Sequence, residues 1–305
     1  MNNYNKLEEI CKNYGAEFKM NAPLAPHTTF KIGGPCDALV KVANYDMLKK
    51  ALLFCKENRL PYRIFGNGSN ILVRDEGVRG VVLLLGKDFA LTAADEKSGF
   101  VVCGAGVSLT ALCLAARDAS LTGLEFAYGI PGTVGGAIYM NAGAYDGEIA
   151  NRLHSCDYLD GNGNYAELDC LKERENFSYR KSPFTGSGKI IVSAEFQLSK
   201  GDKAQITAKM DDFMNRRREK QPLEFPSAGS TFKRPEGGYA SRLIDVCGLK
   251  GFSVGGAQVS EKHAGFIINK GGATCSDVLK LIEAVKERVF KETGIMLERE
   301  VEVLG

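Results

Sequence analysis

The sequence predicts an α+β protein in two parts, and three observations predict it. Up to about residue 200, strand-like and helix-like segments follow one another, beginning with a β-α-β unit. A long, charged helix-like segment is then broken by Pro222 and Pro226, and a smaller set of helices and strands follows. Between strand-like segments of the first part lies Gly129-Ile130-Pro131-Gly132-Thr133-Val134-Gly135-Gly136-Ala137-Ile138-Tyr139-Met140-Asn141-Ala142-Gly143-Ala144, rich in glycine and almost free of charge. A chain of 305 residues is long enough for two domains or one large one.

Taken in order, Leu7, Ile10, Cys11 and Tyr14 recur at helical spacing, so Asn5 to Tyr14 reads as an amphipathic helix. Pro23 to Pro35 is punctuated by Pro and Gly and reads as irregular. Asp37 to Ala43 is a strand, Asp46 to Asn58 a helix with Leu48, Ala51, Leu52 and Cys55 on one face, and Pro61 to Phe65 a strand. Val78 to Leu85, Phe100 to Cys103, Leu153 to Leu159 and Ile190 to Leu198 read as strands, with a helix over Leu109 to Ala119. Asn162-Gly163 turns a hairpin into Tyr165 to Leu168. The boundary between the parts is expected near Lys200-Gly201-Asp202. Beyond it a helix runs to Lys220, Ser241 to Cys247 is a short helix, and Ala264 to Asn269 is a strand. Ser276 is expected to N-cap a last helix carrying Val278, Leu279, Leu281, Ile282, Val285 and Val289, and Met296 to Leu304 closes the chain as a strand.

Composition narrows the function classes. With 44% hydrophobic and 25% charged residues the chain reads as an ordinary soluble globular protein. A formal net charge of +2 gives no reason to expect nucleic acid as a partner. The start of the chain lacks the apolar core of a signal peptide, and no apolar stretch is long enough to span a bilayer, so a cytoplasmic protein is expected. The 9 cysteines are scattered, without a Cys-x-x-Cys pair, and Cys103, Cys113 and Cys247 sit among apolar neighbours as small buried hydrophobes. His27, His154 and His263 lack metal-ligand spacing, so no metal site is expected.

The glycine-rich stretch reads either as a corner between strands or as a loop wrapping a diphosphate, since glycine lets a ligand approach the backbone and frees N–H groups for an anion. A second small-residue loop, Gly66-Asn67-Gly68-Ser69-Asn70, follows a strand directly, at the end where α/β sheets tend to bind ligands. The Walker-type P-loop is absent, and neither Gly66-x-Gly68 nor Gly104-x-Gly106 completes Gly-x-Gly-x-x-Gly. Gly251-Phe252-Ser253-Val254-Gly255 matches a nucleophile elbow, but the only later histidine, His263, lies too close, and the stretch reads as a turn. Arg216-Arg217-Arg218-Glu219-Lys220 reads first as a solvated helix end, and alternatively as a contact for a substrate diphosphate. Pro226 to Pro235 sets the Ser230 hydroxyl in a tight loop beside Lys233 and Arg234, where it is either a proton donor or part of a surface turn.

Together, Gly66 to Asn70, Gly129 to Gly136, Tyr179-Arg180, Ser227-Ala228-Gly229-Ser230 and Leu297-Glu298-Arg299-Glu300-Val301 resemble, in order along the chain, the UDP-N-acetylenolpyruvoylglucosamine reductase family of bacterial cell-wall synthesis. The resemblance runs from about Thr28 to Val303, and the compact length is similar to the shorter of its two subclasses. It implies a vanillyl-alcohol-oxidase-type FAD-binding domain of two subdomains over residues 1–200, split near 80. A smaller α+β substrate-binding domain would span 201–305, its last strand free to return to the flavin domain.

The activity implied is reduction of UDP-N-acetylglucosamine enolpyruvate to UDP-N-acetylmuramate with FAD as cofactor and NADPH as hydride donor; no His or Cys is clearly placed for a covalent link, so non-covalent FAD is expected, and the protein is expected to be a monomer. By resemblance the FAD diphosphate lies against Gly66, Asn67, Gly68, Ser69 and Asn70 and against Gly132, Thr133, Gly135 and Gly136. Hydride addition to the enolpyruvyl group builds charge on its carboxylate, which a bidentate arginine, Arg180, is suited to stabilise. Glu300 stands at the same carboxyl group and Ser230 protonates the α-carbon. Tyr179, Lys220, Arg234 and His263 are the substrate-binding candidates. Two departures stand out: Asp146 replaces a glycine and is expected to point to solvent, and Arg234 replaces a common asparagine. Another flavoenzyme of the same fold, and a non-catalytic nucleotide-binding module, remain as alternatives.

Overall fold

A computed structural model describes residues 3–305. Its helices are α1 (Asn3–Asn13), α2 (Tyr45–Glu57), α3 (Leu109–Asp118), α4 (Val134–Tyr139), α5 (Lys203–Lys220), α6 (Ala240–Val246) and α7 (Cys275–Thr293). The chain divides into two compact units that are interleaved in sequence. The first comprises residues up to Met20, Ala38–Gly66 and Gly80–Asn215; the second comprises Asn21–Asp37, Asn67–Arg79 and Arg216–Gly305. A single boundary near Lys200 does not describe this division, because two short early segments have their contacts with the last third of the chain.

The first unit holds most of a sheet, covered by α1 and α2, whose strands run in the order Glu17–Pro23, Pro35–Val42, Val78–Leu85, Tyr62–Phe65. Met47, Leu48, Ala51, Leu52 and Cys55 form the apolar face of α2 and bury against Ala38, Val40, Val81 and Leu83. Asn44 caps α2 by accepting from the Met47 N–H at 2.9 Å. A five-stranded antiparallel sheet follows, in the order Tyr165–Asp169, Leu153–Leu159, Ile190–Gln197, Phe100–Gly104, Thr92–Asp95. Its core joins Leu109, Leu112 and Cys113 of α3 and Val134 and Ile138 of α4 to Val101, Cys103, Cys156, Ala194 and Phe196.

The second unit holds a four-stranded antiparallel sheet, Ser227–Ser230, Phe266–Asn269, Ala257–Val259, Ser253–Val254. Val278, Leu281, Ile282, Val285 and Val289 of α7 pack on it, with Phe30, Ile32 and Leu72 from the early segments in the same core. The last strand is shorter than the sequence suggests: it covers Glu302–Leu304, parallel with Ile71–Val73, and before it Arg299 makes an isolated bridge to Phe232.

Most elements fall where the sequence places them, and the differences have local causes. Glu17–Pro23 is a strand without apolar alternation, because its residues are almost all exposed. Ile71–Val73 and Thr92–Asp95 are too short or too polar to register as strands in sequence. The N-cap of α7 is Thr274, not Ser276: Thr274 Oγ1 accepts from the Asp277 N–H while Asp277 returns the bond to the Thr274 N–H, a reciprocal capping box. Ser276 N–H instead donates to Asp75. The Gly251–Gly255 stretch is a turn into a hairpin, with Ser253 Oγ bonded to Gly251 O and Gln258 Nε2, as the turn reading expects.

Candidate active site

The glycine-rich stretch is only partly a loop, since α4 forms inside it. Gly129 at φ +82° and Pro131 shape the approach, and Thr133 caps the helix by accepting from the Gly136 N–H at 3.4 Å. The adjoining chain uses much of the backbone here. Leu109 N–H donates to Gly132 O at 3.0 Å, Val134 N–H to Val107 O at 2.8 Å, and Gly135 N–H to Ala105 O at 2.8 Å. The N–H groups of residues 134–136 are therefore committed, contrary to the expectation that glycine would free them. Those of Gly132 and Thr133, both buried residues, have no partner among the described residues. Buried backbone donors are seldom left unpaired in a finished structure, and two adjacent ones fit the oxygens of a diphosphate.

The space beside these donors is kept by the absence of side chains. A Cβ at Gly66 would run into Thr133 Oγ1, so the start of one small-residue loop rests on the other. A Cβ at Gly135 would lie 3.0 Å from Ala105 Cβ, whereas one at exposed Gly136 meets only Thr133 Oγ1, at 3.4 Å. Gly66 and Gly135 are glycine because of the protein's own packing. Gly136 leaves its backbone open.

Arg180, also in the first unit, sits in a tight turn in which Ser178 and Lys181 exchange backbone hydrogen bonds at 3.1 and 3.0 Å. Its φ is +58°, a conformation that costs an L-residue roughly 1–2 kcal/mol. The guanidinium lies 4.8 Å from the centre of the Tyr179 ring, and Nη2 donates to Gly143 O at 3.4 Å. A cation backed by an aromatic face and placed on a strained turn is a common arrangement at ligand sites. Asp146 is exposed and sits with Tyr145 at φ +63° and +49° in a two-residue hairpin turn that needs both positive. Aspartate tolerates that region better than most residues, which accounts for its place there.

In the second unit the remainder of the first loop, Asn67 to Asn70, meets the end of the chain. Gly68 at φ +60° packs so closely on the His27 carbonyl that no Cβ would fit, and its carbonyl accepts from the Thr29 N–H at 3.3 Å. Asn70 Nδ2 donates to Glu300 O at 3.3 Å, and Glu302 N–H donates to Asn70 O at 2.9 Å. On its other side Glu300 N–H donates to Thr231 O at 2.8 Å, and Phe232 bridges to Arg299. Ser230 and Glu300 thus sit on adjacent extended segments, with Asn70 flanking Glu300. A register shift in the strand Ser227–Ser230, with Gly229 at φ +74°, turns Ser230 outward while Thr231 is buried.

Thr29, in a segment that reads in sequence only as irregular, also contributes here. Thr29 Oγ1 donates to Ser227 O at 2.7 Å, joining the Gly68 region to the Ser230 strand. Two adjacent hydroxyls ahead of Gly33-Gly34-Pro35 were the available signal. Lys220 is the exposed last residue of α5. In the preceding run Arg217 is buried, so the run is not simply a solvated helix end. Arg234 lies over the Tyr239 ring at 4.4 Å and lines a cavity of about 490 Å³ with Lys233, Glu236, Met296 and Glu298. His263 is half-buried; its Nδ1 accepts from the Gly265 N–H at 3.2 Å and its ring meets Phe266 edge-on at 4.9 Å. Burial, with a smaller effect from Lys250, holds its pKa below the usual imidazole value.

A family model described as an FAD binding domain matches residues 36–169, and one described as the C-terminal domain of UDP-N-acetylenolpyruvoylglucosamine reductase matches 221–304. The UDP-N-acetylenolpyruvoylglucosamine reductase of Clostridium novyi is 48% identical over 300 residues, covering 98% of this chain and 95% of the relative. That of Clostridium perfringens (strain SM101) is 45% identical over 307 residues, covering 100% and 99%. The crystal structure of the reductase from Thermus caldophilus superposes with a TM-score of 0.79 at 38% identity, covering 95% of this chain and 99% of that one.

Proposed function

The chain belongs to the UDP-N-acetylenolpyruvoylglucosamine reductase family, and from that premise we propose how its residues divide the work. It is an FAD-dependent oxidoreductase that uses NADPH to reduce UDP-N-acetylglucosamine enolpyruvate to UDP-N-acetylmuramate, a step of peptidoglycan precursor synthesis. FAD, when bound, supplies the hydride chemistry between NADPH and the enolpyruvyl β-carbon.

Gly132 and Thr133 offer their backbone donors to the FAD diphosphate, with Gly136 leaving room for it, Gly66 and Gly135 letting the loops beside it pack closely, and Asn67 to Asn70 serving the same cofactor. The cofactor is held without a covalent bond. Arg180 binds the enolpyruvyl carboxylate through its planar fork, which is the geometry a carboxylate takes bidentately. As charge builds on that group during the reaction, the guanidinium stabilises it more than it stabilises the ground state. Glu300 shares the same carboxyl group and is able to pass a proton. Ser230 delivers its hydroxyl proton to the α-carbon. Tyr179, Lys220, Arg234 and His263 bind the rest of the substrate; Arg234 and Lys220 bring positive charge suited to a nucleotide diphosphate.

The FAD-binding domain lies within residues 1–200, apart from the short segments Asn21–Asp37 and Asn67–Arg79 that group with the last third of the chain, where residues 201–305 serve as the substrate-binding domain, and the enzyme works as a monomer in the cytoplasm. No helix among the described residues is long and apolar enough to cross a membrane.

The observation that carries the proton-donor role is the outward turn of Ser230 at a strand irregularity, one residue from the Thr231 carbonyl that accepts from the Glu300 N–H. Ser230→Ala tests it in stopped flow. NADPH-driven bleaching of the flavin should stay nearly intact, while reoxidation by the enolpyruvyl substrate falls ~10²–10⁴-fold, the usual worth of a positioned general acid. Ser230→Cys should keep part of that rate. Equal slowing of both half-reactions would instead make Ser230 a shaping residue, and unchanged reoxidation would remove it from the chemistry.

A further inference from the structure

Asn141 has no exposed surface, yet its backbone sits at φ +41°, a region that few non-glycine residues enter. Both hydrogens of its amide are used. Nδ2 donates to Glu148 Oε2 at 3.2 Å and to the Ser178 carbonyl at 3.1 Å, while Oδ1 accepts from the Ala150 N–H at 3.0 Å. A buried amide with these partners keeps one orientation, because rotation would leave buried polar groups unpaired.

The Ser178 carbonyl is where this amide reaches the turn that carries Arg180. A left-handed arginine persists only where its surroundings hold it. The holding comes from the chain that leaves α4. Ser182 Oγ and Thr185 Oγ1 both donate to the Tyr139 carbonyl, at 2.9 and 2.8 Å. The carbonyl of Gly143, two residues beyond Asn141, accepts from Arg180 Nη2. The helix that directly follows the proposed diphosphate donors therefore leads into the residues that fix the arginine turn.

We propose that Asn141 is a positioning residue for Arg180: its buried amide, oriented by Glu148 and Ala150, holds the Ser178 carbonyl and so aims the guanidinium at the substrate carboxylate. The proposal rests on the reading of Arg180 as the carboxylate-binding group. Asn141 is buried and acts through Arg180. Carboxylate recognition by a bidentate fork is sensitive to placement, and a shift of about 1 Å at a reacting centre can cost ~10²-fold in rate.

The test is a double-mutant cycle on the FAD-loaded enzyme. Asn141→Asp keeps the size and the tolerance of a left-handed backbone. It removes both donors and sets a carboxylate against Glu148 and the Ser178 carbonyl. Enolpyruvyl-driven flavin reoxidation should slow ~10–100-fold, with the flavin-to-protein ratio unchanged. In an Arg180→Ala background the same substitution should change the rate by less than ~2-fold, because no guanidinium is left to misplace. A loss that simply adds to that of Arg180→Ala overturns the proposal, as does a native rate for Asn141→Asp.

If Asn141→Asp does not fold, Asn141→Asp with Glu148→Gln replaces it. The amide introduced by Glu148→Gln can donate to the new carboxylate, restoring that bond with reversed polarity, while the Ser178 carbonyl keeps only the Lys181 N–H and still lacks the side-chain donor at position 141. The same slow reoxidation and the same non-additivity are expected; a native rate would place the role of Asn141 in the Glu148 contact and overturn the proposal. Reoxidation at the native rate in Arg180→Ala alone would show that the reading of Arg180 has failed, and the proposal would fall with it.

Discussion

Gly136→Ala separates what holds the cofactor from what holds the fold. Gly136 is exposed within the first turn of α4, and the only atom a Cβ would approach is Thr133 Oγ1, at an ordinary contact distance of 3.4 Å. Alanine is better than glycine in a helix by ~1 kcal/mol, so the chain without flavin should melt at the same temperature or slightly higher. The ligand side is different. A methyl group there pushes a diphosphate away from the Gly132 and Thr133 N–H groups, and each hydrogen bond to a charged oxygen contributes ~1.5–3 kcal/mol. Losing one corresponds to a ~10–100-fold rise in the FAD dissociation constant. Titration of the flavin-free protein with FAD, alongside thermal melts of the same sample, measures both quantities. An unchanged dissociation constant in a protein of unchanged stability would refute the assignment of this helix start to the diphosphate. Gly66 and Gly135 do not serve for this test. A side chain there meets Thr133 or Ala105 first, so loss of flavin would follow from damage to the fold.

Two further outcomes follow from the backbone and the half-buried imidazole. Arg180→Gly relieves a left-handed conformation worth ~1–2 kcal/mol to an L-residue, against the added flexibility of glycine, ~0.4–1 kcal/mol. Urea unfolding should therefore show stability held or slightly raised while turnover of the enolpyruvyl substrate collapses; a large loss of stability would mean that the guanidinium holds the fold. His263 has its pKa lowered by burial, so as pH falls the unfolded chain takes up its proton first. Its contribution to stability is complete above about pH 6.5, the ordinary imidazole value, and is lost as pH falls through the lower folded value. Protonation also removes the acceptor that Nδ1 offers to the Gly265 N–H. His263→Gln should flatten the decline in melting temperature between neutral and mildly acidic pH; an equally steep decline would assign it to other groups.

Much of this protein was determined by the sequence itself. The apolar faces of α1, α2, α3 and α7, and the hairpin turning at Gly163 with φ +73°, follow from local periodicity and turn chemistry, which need no knowledge of distant partners. The motifs from Gly66 to Glu300 were legible as a set: a single short run admits more than one reading, and it is their order along the chain that carries the resemblance. Cys103, Cys113 and Cys247 are buried as their neighbours suggest.

What only the tertiary structure decided is which of these runs share a frame. Nothing local says that Ile71–Val73 will pair with Glu302–Leu304, that residues 67–79 will associate with the last third of the chain, or that the buried Asn141 amide will take the Ser178 carbonyl. These contacts close loops of tens to hundreds of residues, and a single sequence carries no mark of loop closure. The same holds for the backbone donors of the glycine-rich stretch. Composition shows that Val134, Gly135 and Gly136 can offer N–H groups. That Val107, Ala105 and Thr133 have already taken them, leaving those of Gly132 and Thr133, is decided largely by a neighbouring segment 27 to 30 residues away in sequence.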